Sequence, residues 1–255
     1  EDKLNILAPL RDKLVLSAAG ANFMTGLVGN VSIPTYDGST VGWAGEVDAA
    51  ADGAGTFGEV ELSPKRLTAY VDISKQFLIQ DSVSAEALLR KDIVDAISNK
   101  LEATILGAEA GSTTKPAGLF NAVVADEADI TYKDIVAMEQ KLEEANVSGN
   151  ITFIASPYAK ATLKTTAIGG TKSDVRMLMD SGEVDGYPVL VTNGMAKKGL
   201  ILGNFNDLVI GQWGGIDLTV DPYTQAANGK IRLVVNAYFD AKPQRAASFV
   251  KKVLK

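Results

Sequence analysis

Two stretches of this 255-residue sequence carry residue types at spacings that could do chemistry. Gly53-Ala-Gly55-Thr-Phe-Gly58 satisfies G-x-G-x-x-G, the dinucleotide fingerprint, whose glycines let the backbone approach a pyrophosphate held at a helix N-terminus. That chemistry needs a helix after the motif. Glu59-Val-Glu-Leu62 follows instead, an alternating strand pattern that stops at Pro64 and puts carboxylates where a phosphate would sit, so the match reads as accidental. Overlapping it, Asp48, Asp52, Gly53 and Glu59 fall at positions 1, 5, 6 and 12 of an EF-hand loop. Position 3 is Ala50 and neither flank is helical, which leaves too few oxygen ligands for calcium.

The sequence contains no His and no Cys. This removes Ser/His/Asp and Cys/His nucleophiles, thiolate or imidazole zinc sites and disulfide frameworks. An α/β enzyme would have to work through carboxylates or Lys, with Glu46, Asp48, Asp52 or Lys75 as its candidates, and a solvent-facing or interface charge is the better reading of each. The net charge of −6 opposes the phosphate neutralisation that drives nucleic-acid binding, so direct reading of DNA sequence is not expected. With 46% hydrophobic and 22% charged residues the chain can bury a real core, and no run is long and apolar enough to span a bilayer. We expect a soluble protein.

What remains is an unusual segment. Gly42 to Leu62 holds five acidic residues, five glycines and no basic residue, with strand-like sequence at Leu27 to Ile33 before it and at Leu67 to Ile79 after it. Those flanks predict a long two-stranded hairpin with the acidic stretch at its tip. A two-stranded ribbon is marginal in water, and a Gly/Ala-rich tip has little with which to build its own core. It needs another surface to lie on.

The elements that position this finger follow from periodicity. Pro9 to Ala19 is a short amphipathic piece. Leu89, Ile93, Ile97, Leu101 and Ile105 recur every four residues, predicting a helix over Ser84 to Glu109 that would run about 39 Å at the α-helical rise. Gly111 and Pro116 stop it. Helices are expected from Tyr132 to Ala145 and from Ser156-Pro157 onward, where Ser caps and Pro fills the first turn. Strands are expected at Ile151 to Ala155, Pro188 to Thr192, Leu200 to Leu202, Leu208 to Ile210, Ile216 to Val220, Ile231 to Phe239 and near Ala246 to Val253.

Lys115-Pro-Ala-Gly-Leu-Phe-Asn121 after the long helix, Gly182-Glu-Val-Asp-Gly-Tyr-Pro-Val189, Leu202-Gly-Asn-Phe205 and the closing run from Arg232 to Val250 stand in a recognisable order. The whole chain thereby resembles the major capsid proteins of tailed bacteriophages, of the Hong Kong 97 type. The resemblance implies an α+β fold with an N-terminal arm, an extended β-hairpin loop, a long spine helix, and axial and peripheral domains. The implied divisions are 1–26 for the arm, 27–80 for the loop and peripheral strands, 81–115 for the spine helix, 116–213 for the axial domain, 214–241 for the peripheral return and 242–255 for the axial closing strand.

It also implies a function: a structural subunit that self-assembles through hexamers and pentamers into an icosahedral shell around double-stranded DNA. Such a virion protein assembles in the host cytoplasm and works with a portal and decoration proteins, without catalysis, cofactor, metal or membrane. Encapsulin nanocompartments share the fold and stand as the alternative. The extended loop would lie on a neighbouring subunit, using Trp43, Glu46, Asp48, Asp52, Phe57, Glu59 and Glu61, with Arg11, Lys13, Arg90 and Lys91 as its partners. The Glu1 start would fit removal of a scaffolding segment by a maturation protease. Cross-linking members of the family join a loop Lys to a neighbour's Asn with the help of a Glu. Here no Lys lies between Gly38 and Pro64, and Ile231 to Phe239 has no carboxylate, although Asn228 and Asn236 could accept. A non-covalent shell is expected.

Overall fold

The computed structural model describes residues 14–36, 38–39, 41–43, 49, 52–76, 82–126, 128–169 and 176–255, with the helix path but not the side chains of residues 82–90. The four-residue apolar spacing does form a long helix. After a single-turn helix α1 (Val15–Ala18), α2 covers Ser82–Ile105, about 36 Å at 1.5 Å per residue, and Ile93, Ile97, Leu101 and Ile105 are buried along one stripe. It stops four residues before the expected Glu109, because the chain turns back there to satisfy its last carbonyls. Leu119 N–H donates to the Ile105 carbonyl at 2.7 Å and Phe120 N–H to that of Gly107 at 2.9 Å. The turn requires glycine: a Cβ on Gly118 would lie 2.1 Å from the Gly107 oxygen. The same turn drops Phe120, fully buried, into the main core.

Two sheets accompany this helix, the first drawing strands from both sides of it in sequence and the second only from the chain after it. The first is four-stranded, in the order β1 (Asn22–Leu27), β9 (Leu208–Asp221), β10 (Lys230–Pro243), β4 (Lys65–Ser74), with β1 parallel to β9 and the other pairs antiparallel. Its register is fixed across β4 and β10 by charge. Arg232 donates twice to Asp72, from Nε at 2.7 Å and from the terminal nitrogen at 2.8 Å, and its guanidinium lies 4.3 Å from the Tyr70 ring centre. The hydrogen bonds from Arg232 hold the Asp72 carboxyl below its ordinary value. The second sheet is five-stranded, in the order β11 (Phe249–Val253), β8 (Gly199–Asn204), β5 (Ile151–Ala155), β7 (Tyr187–Val191), β6 (Glu183–Val184). A separate ribbon pairs β2 (Val31–Tyr36) with β3 (Phe57–Leu62).

One continuous core joins α2 to both sheets: Ile97, Leu101 and Ile105 share it with Ile154 and Ile201 of the five-stranded sheet and with Ile210, Val235 and Phe239 of the four-stranded one. A second core lies under α3 (Tyr132–Glu144) and α4 (Pro157–Thr165), where Ile135, Met138, Leu142, Ala159 and Leu163 meet Phe153 and Leu202. α4 opens as expected, with Ser156 Oγ accepting from the Ala159 N–H at 3.2 Å and Pro157 in the first turn. No helix among the described residues is long and apolar enough to cross a membrane.

Several expectations are corrected. Leu27 to Ile33 is two strands, because the backbone turns at Gly29 with φ +67°. Leu67 to Ile79 is not the returning arm of the hairpin: its described part belongs to β4, which pairs with β10, while Phe57–Leu62 is the arm that pairs with β2. The separate strands at 208–210 and 216–220 are one strand, β9, because β10 pairs with it on both sides of an irregularity at Gly214 (φ +65°). β9 and β10 run unbroken through 213/214 and 241/242, the positions at which the resemblance divides axial from peripheral segments.

The start of α3 is a charged cap with a pH signature. Asp134 Oδ2 accepts from the Thr131 N–H and hydroxyl, both at 2.7 Å, and Lys252 donates to Oδ1 at 2.9 Å while also pairing with Asp126 at 2.6 Å. Burial works to raise the Asp134 carboxyl, but these hydrogen bonds outweigh it and hold the group below its ordinary value. A carboxyl depressed in the folded state stabilises above its unfolded value, near pH 4, and that contribution disappears as pH falls through the folded value. Asp134→Asn should therefore flatten the loss of thermal stability below about pH 4. Equal slopes for both proteins in melts between neutral and acidic pH would contradict the assignment.

Candidate inter-subunit surface

The hairpin's two faces differ. Register pairs Val31 with Leu62 and Ile33 with Val60 on one face, and Ser32 with Glu61, Pro34 with Glu59 and Tyr36 with Phe57 on the other. The first face leans on the four-stranded sheet only near the root, where Leu62, Val209 and Trp213 form a small core with Met24, Leu27, Val31 and Ile33 packed around it. Trp213 also donates its indole N–H to the Gly29 carbonyl.

A buried ion pair fastens that root. Asp240 of β10 has no solvent exposure, and its Oδ1 lies 2.6 Å from Lys65 Nζ, the first residue after the hairpin's exit turn. The other oxygen accepts from the Ser63 N–H at 3.1 Å, and Oδ1 also accepts from the Ala241 N–H at 3.0 Å. Three donors thus satisfy the carboxylate, and two of them come from the chain leaving the hairpin. Sequence reading missed this residue. The run Ile231 to Phe239 was correctly free of carboxylates, but the next residue is the buried one, and an Asp between Phe239 and Ala241 in an apolar run was the available signal.

Away from the root the ribbon is uncovered. Tyr36 and Phe57 stack against each other, ring centres 4.6 Å apart, yet Phe57 is 83% exposed. The Tyr36 hydroxyl bonds Ser39 Oγ and accepts from the Gly55 N–H at 3.1 Å, and these bonds hold it below its ordinary value. The two limbs touch by backbone here: a Cβ on Gly55 would stand 1.9 Å from the Gly38 oxygen. Trp43 and Val41 are fully exposed. Asp52, in the stretch before β3, accepts from the Ala54 N–H at 3.0 Å, and Ser32 Oγ donates to Glu59 at 2.8 Å.

The structure therefore brings Phe57, Glu59 and Glu61 together on one exposed face, with Asp52 and Trp43 farther out on the same finger. Among the described residues no cation is ion-paired with Asp52, Glu59 or Glu61. Lys91 is exposed on α2. Glu46, Asp48, Arg11 and Lys13, and the side chain of Arg90, lie outside the described residues. The G-x-G-x-x-G stretch leads into strand β3 and not a helix, so it lacks the phosphate-binding geometry.

Residues 4–254 match the Phage capsid family. The chain belongs to this family. It is 28% identical over 249 residues to the major capsid protein of Halomonas phage phiHAP-1, covering 94% of this chain and 40% of that protein. To the major capsid protein of Klebsiella oxytoca phage phiKO2 it is 24% identical over 232 residues, covering 83% and 54%. The chain thus spans about half or less of these relatives. Its fold matches the capsid of a native GTA particle with TM-score 0.72 at 17% identity, over 92% of this chain and 87% of that one. A chain of Microbacterium phage Oxtober96 matches with TM-score 0.73 at 13% identity, over 95% and 91%. At the level of the overall fold the chain is of the Hong Kong 97 type.

The root pair makes a sharp stability prediction. Asp240→Ala strands Lys65 without its partner and should cost roughly 3–5 kcal/mol. Lys65→Met with Asp240→Asn removes both charges, keeps an acceptor for the Ser63 N–H, and should cost about half of that or less. Denaturant unfolding of the dissociated subunit measures both, and equal losses would contradict a buried pair at this position.

Proposed function

We propose that this chain is the shell-forming subunit of a phage head. It assembles through hexamers and pentamers into a closed icosahedral shell around double-stranded DNA, with the hairpin of each subunit lying on its neighbour. The observation that carries this reading is the exposed finger. A ribbon held at its root by Asp240 and Leu62 presents Trp43, Phe57, Glu59 and Glu61 to solvent, with none of the described residues of its own subunit covering them. The two curated relatives are major capsid proteins, which favours a head over an encapsulin-type compartment or an enzyme.

In this reading the protein does its work by contact, without a catalytic site. The acidic face of the hairpin pairs with basic residues of an adjacent copy, for which Arg11, Lys13, Arg90 and Lys91 are the candidates. Each exposed pair contributes only about 0–1 kcal/mol, but a closed shell repeats it at every subunit. The aromatic tip adds apolar burial at roughly 25 cal/mol per Å². Lys65 is held by Asp240 within its own subunit, which favours a shell without covalent cross-links. DNA is enclosed without sequence reading, in keeping with the net charge of −6. A portal and decoration proteins complete the particle, in the host cytoplasm.

Replacing residues 37–56 with a two-residue Asn-Gly turn joins Tyr36 to Phe57, the last register pair, by a standard hairpin connection. The variant should stay folded, with unfolding free energy within about 1 kcal/mol of the parent, because none of the described residues it removes is buried. It should fail to close shells in size-exclusion chromatography and negative-stain images. Normal particles from this variant would overturn the reading.

A further inference from the structure

The five-stranded sheet carries its charges at opposite corners. At one edge, the β6–β7 hairpin turns at Asp185-Gly186, and Asp180, Glu183 and Asp185 are all exposed around it. α3 adds more negative charge to the same corner. Tyr187 donates its hydroxyl to Glu139 at 2.8 Å and Tyr132 to Asp185 at 3.1 Å. The Glu139 hydrogen bond, burial and the charges of Glu139, Glu143 and Asp185 push the Tyr187 hydroxyl up to about 12, and Arg176 is the cation that bears on Tyr132.

The basic corner is diagonal to it. Ala155 pairs with Leu200 and Gly199 with Val253, so the Lys197-Lys198 turn lies at the far end of β5, beside edge strand β11. Lys198 Nζ stands 4.9 Å from the Tyr158 ring centre, which ties the turn to α4 and its Lys160 and Lys164. Lys197 is exposed, and among the described residues neither it nor Lys198 is ion-paired. Asp126 and Asp134 on this edge are already engaged by Lys252. Four strand spacings separate β11 from β6, roughly 19 Å, and the five-residue strands add about 17 Å along the other direction.

We infer that the two corners bind each other between copies of this chain, the Lys197-Lys198 turn and α4 of one copy against the Asp180, Glu183 and Asp185 corner of the next. Patches that are complementary but lie on different sides of one molecule associate head to tail, and such contacts close into rings when the rotation allows. Rings built this way bring carboxylates to each basic corner and further cations to each acidic one. The contact uses the five-stranded sheet and is separate from the hairpin. It rests on the shell reading above, because it supplies the second link between neighbouring subunits of that shell.

Reciprocal charge reversal tests it in the full chain. Lys197→Glu with Lys198→Glu, and separately Glu183→Lys with Asp185→Lys, should each lower particle yield about tenfold or more, since like charges then face each other across the contact. All four substitutions together should restore particles, which also shows that the altered chains fold. Adding Glu59→Lys and Glu61→Lys to the Lys197/Lys198 variant should not restore them. Restoration by the hairpin changes alone would mean that the basic corner receives the neighbour's hairpin, and would overturn the corner-to-corner contact. Wild-type yield from either two-residue reversal would overturn it as well, while leaving the shell reading standing. If the unsubstituted chain forms no particles under any condition, both readings fall.

Discussion

A two-stranded ribbon has no inside, and the rest of this subunit is arranged around that constraint. β2 and β3 can bury one face only where they meet β1 and β9, so the stability of the finger is set at its root. There Asp240, with no exposure to water, gathers the Lys65 ammonium and the Ser63 and Ala241 amides. A carboxylate buried this deeply is tolerated because every donor around it is used. The result is a finger clamped at its base, with Trp43 and Phe57 exposed farther along it.

The body that carries the finger is built to be stiff. α2 shares its core with both sheets, so strands far apart in sequence meet one helix stripe. Glu102, a buried carboxylate of this helix, is used as a tie: it accepts from the Val15 N–H at 3.1 Å and from the Thr192 hydroxyl. That joins the start of the described chain, the long helix and the loop after β7 at a single side chain. A rigid body matters to a shell protein because every contact is repeated, and a small angular error at one interface would prevent closure.

Much of this was legible in the sequence, and the failures have physical reasons. The four-residue spacing of Ile93 to Ile105 and the Ser156-Pro157 start are local signals, and both elements formed where local signals place them. Pairing partners are not local. Leu67 to Ile73 alternates as a hairpin arm would, but the same alternation suits the edge of a sheet, and β10 offers ten register pairs against it. Gly214-Gly215 looks like a break, yet β10 continues on both sides and keeps β9 a single strand. For the candidate surface, the exposure of the acidic and aromatic finger was readable because its composition excludes a core. The anchor at its root was not, since Asp240 and Lys65 lie 175 positions apart and nothing local links them.

If another copy of this chain completes the finger, the protein carries a built-in reporter of that event. Its only two tryptophans divide cleanly, Trp43 on the finger fully exposed and Trp213 at the root buried. Iodide quenching of tryptophan fluorescence, compared between dissociated subunits and assembled particles, reads the state of Trp43 directly. The quenchable component should be lost on assembly with a blue shift in emission, and Trp43→Phe should remove this change. A Trp43 signal equally quenchable in subunits and in intact particles would contradict it.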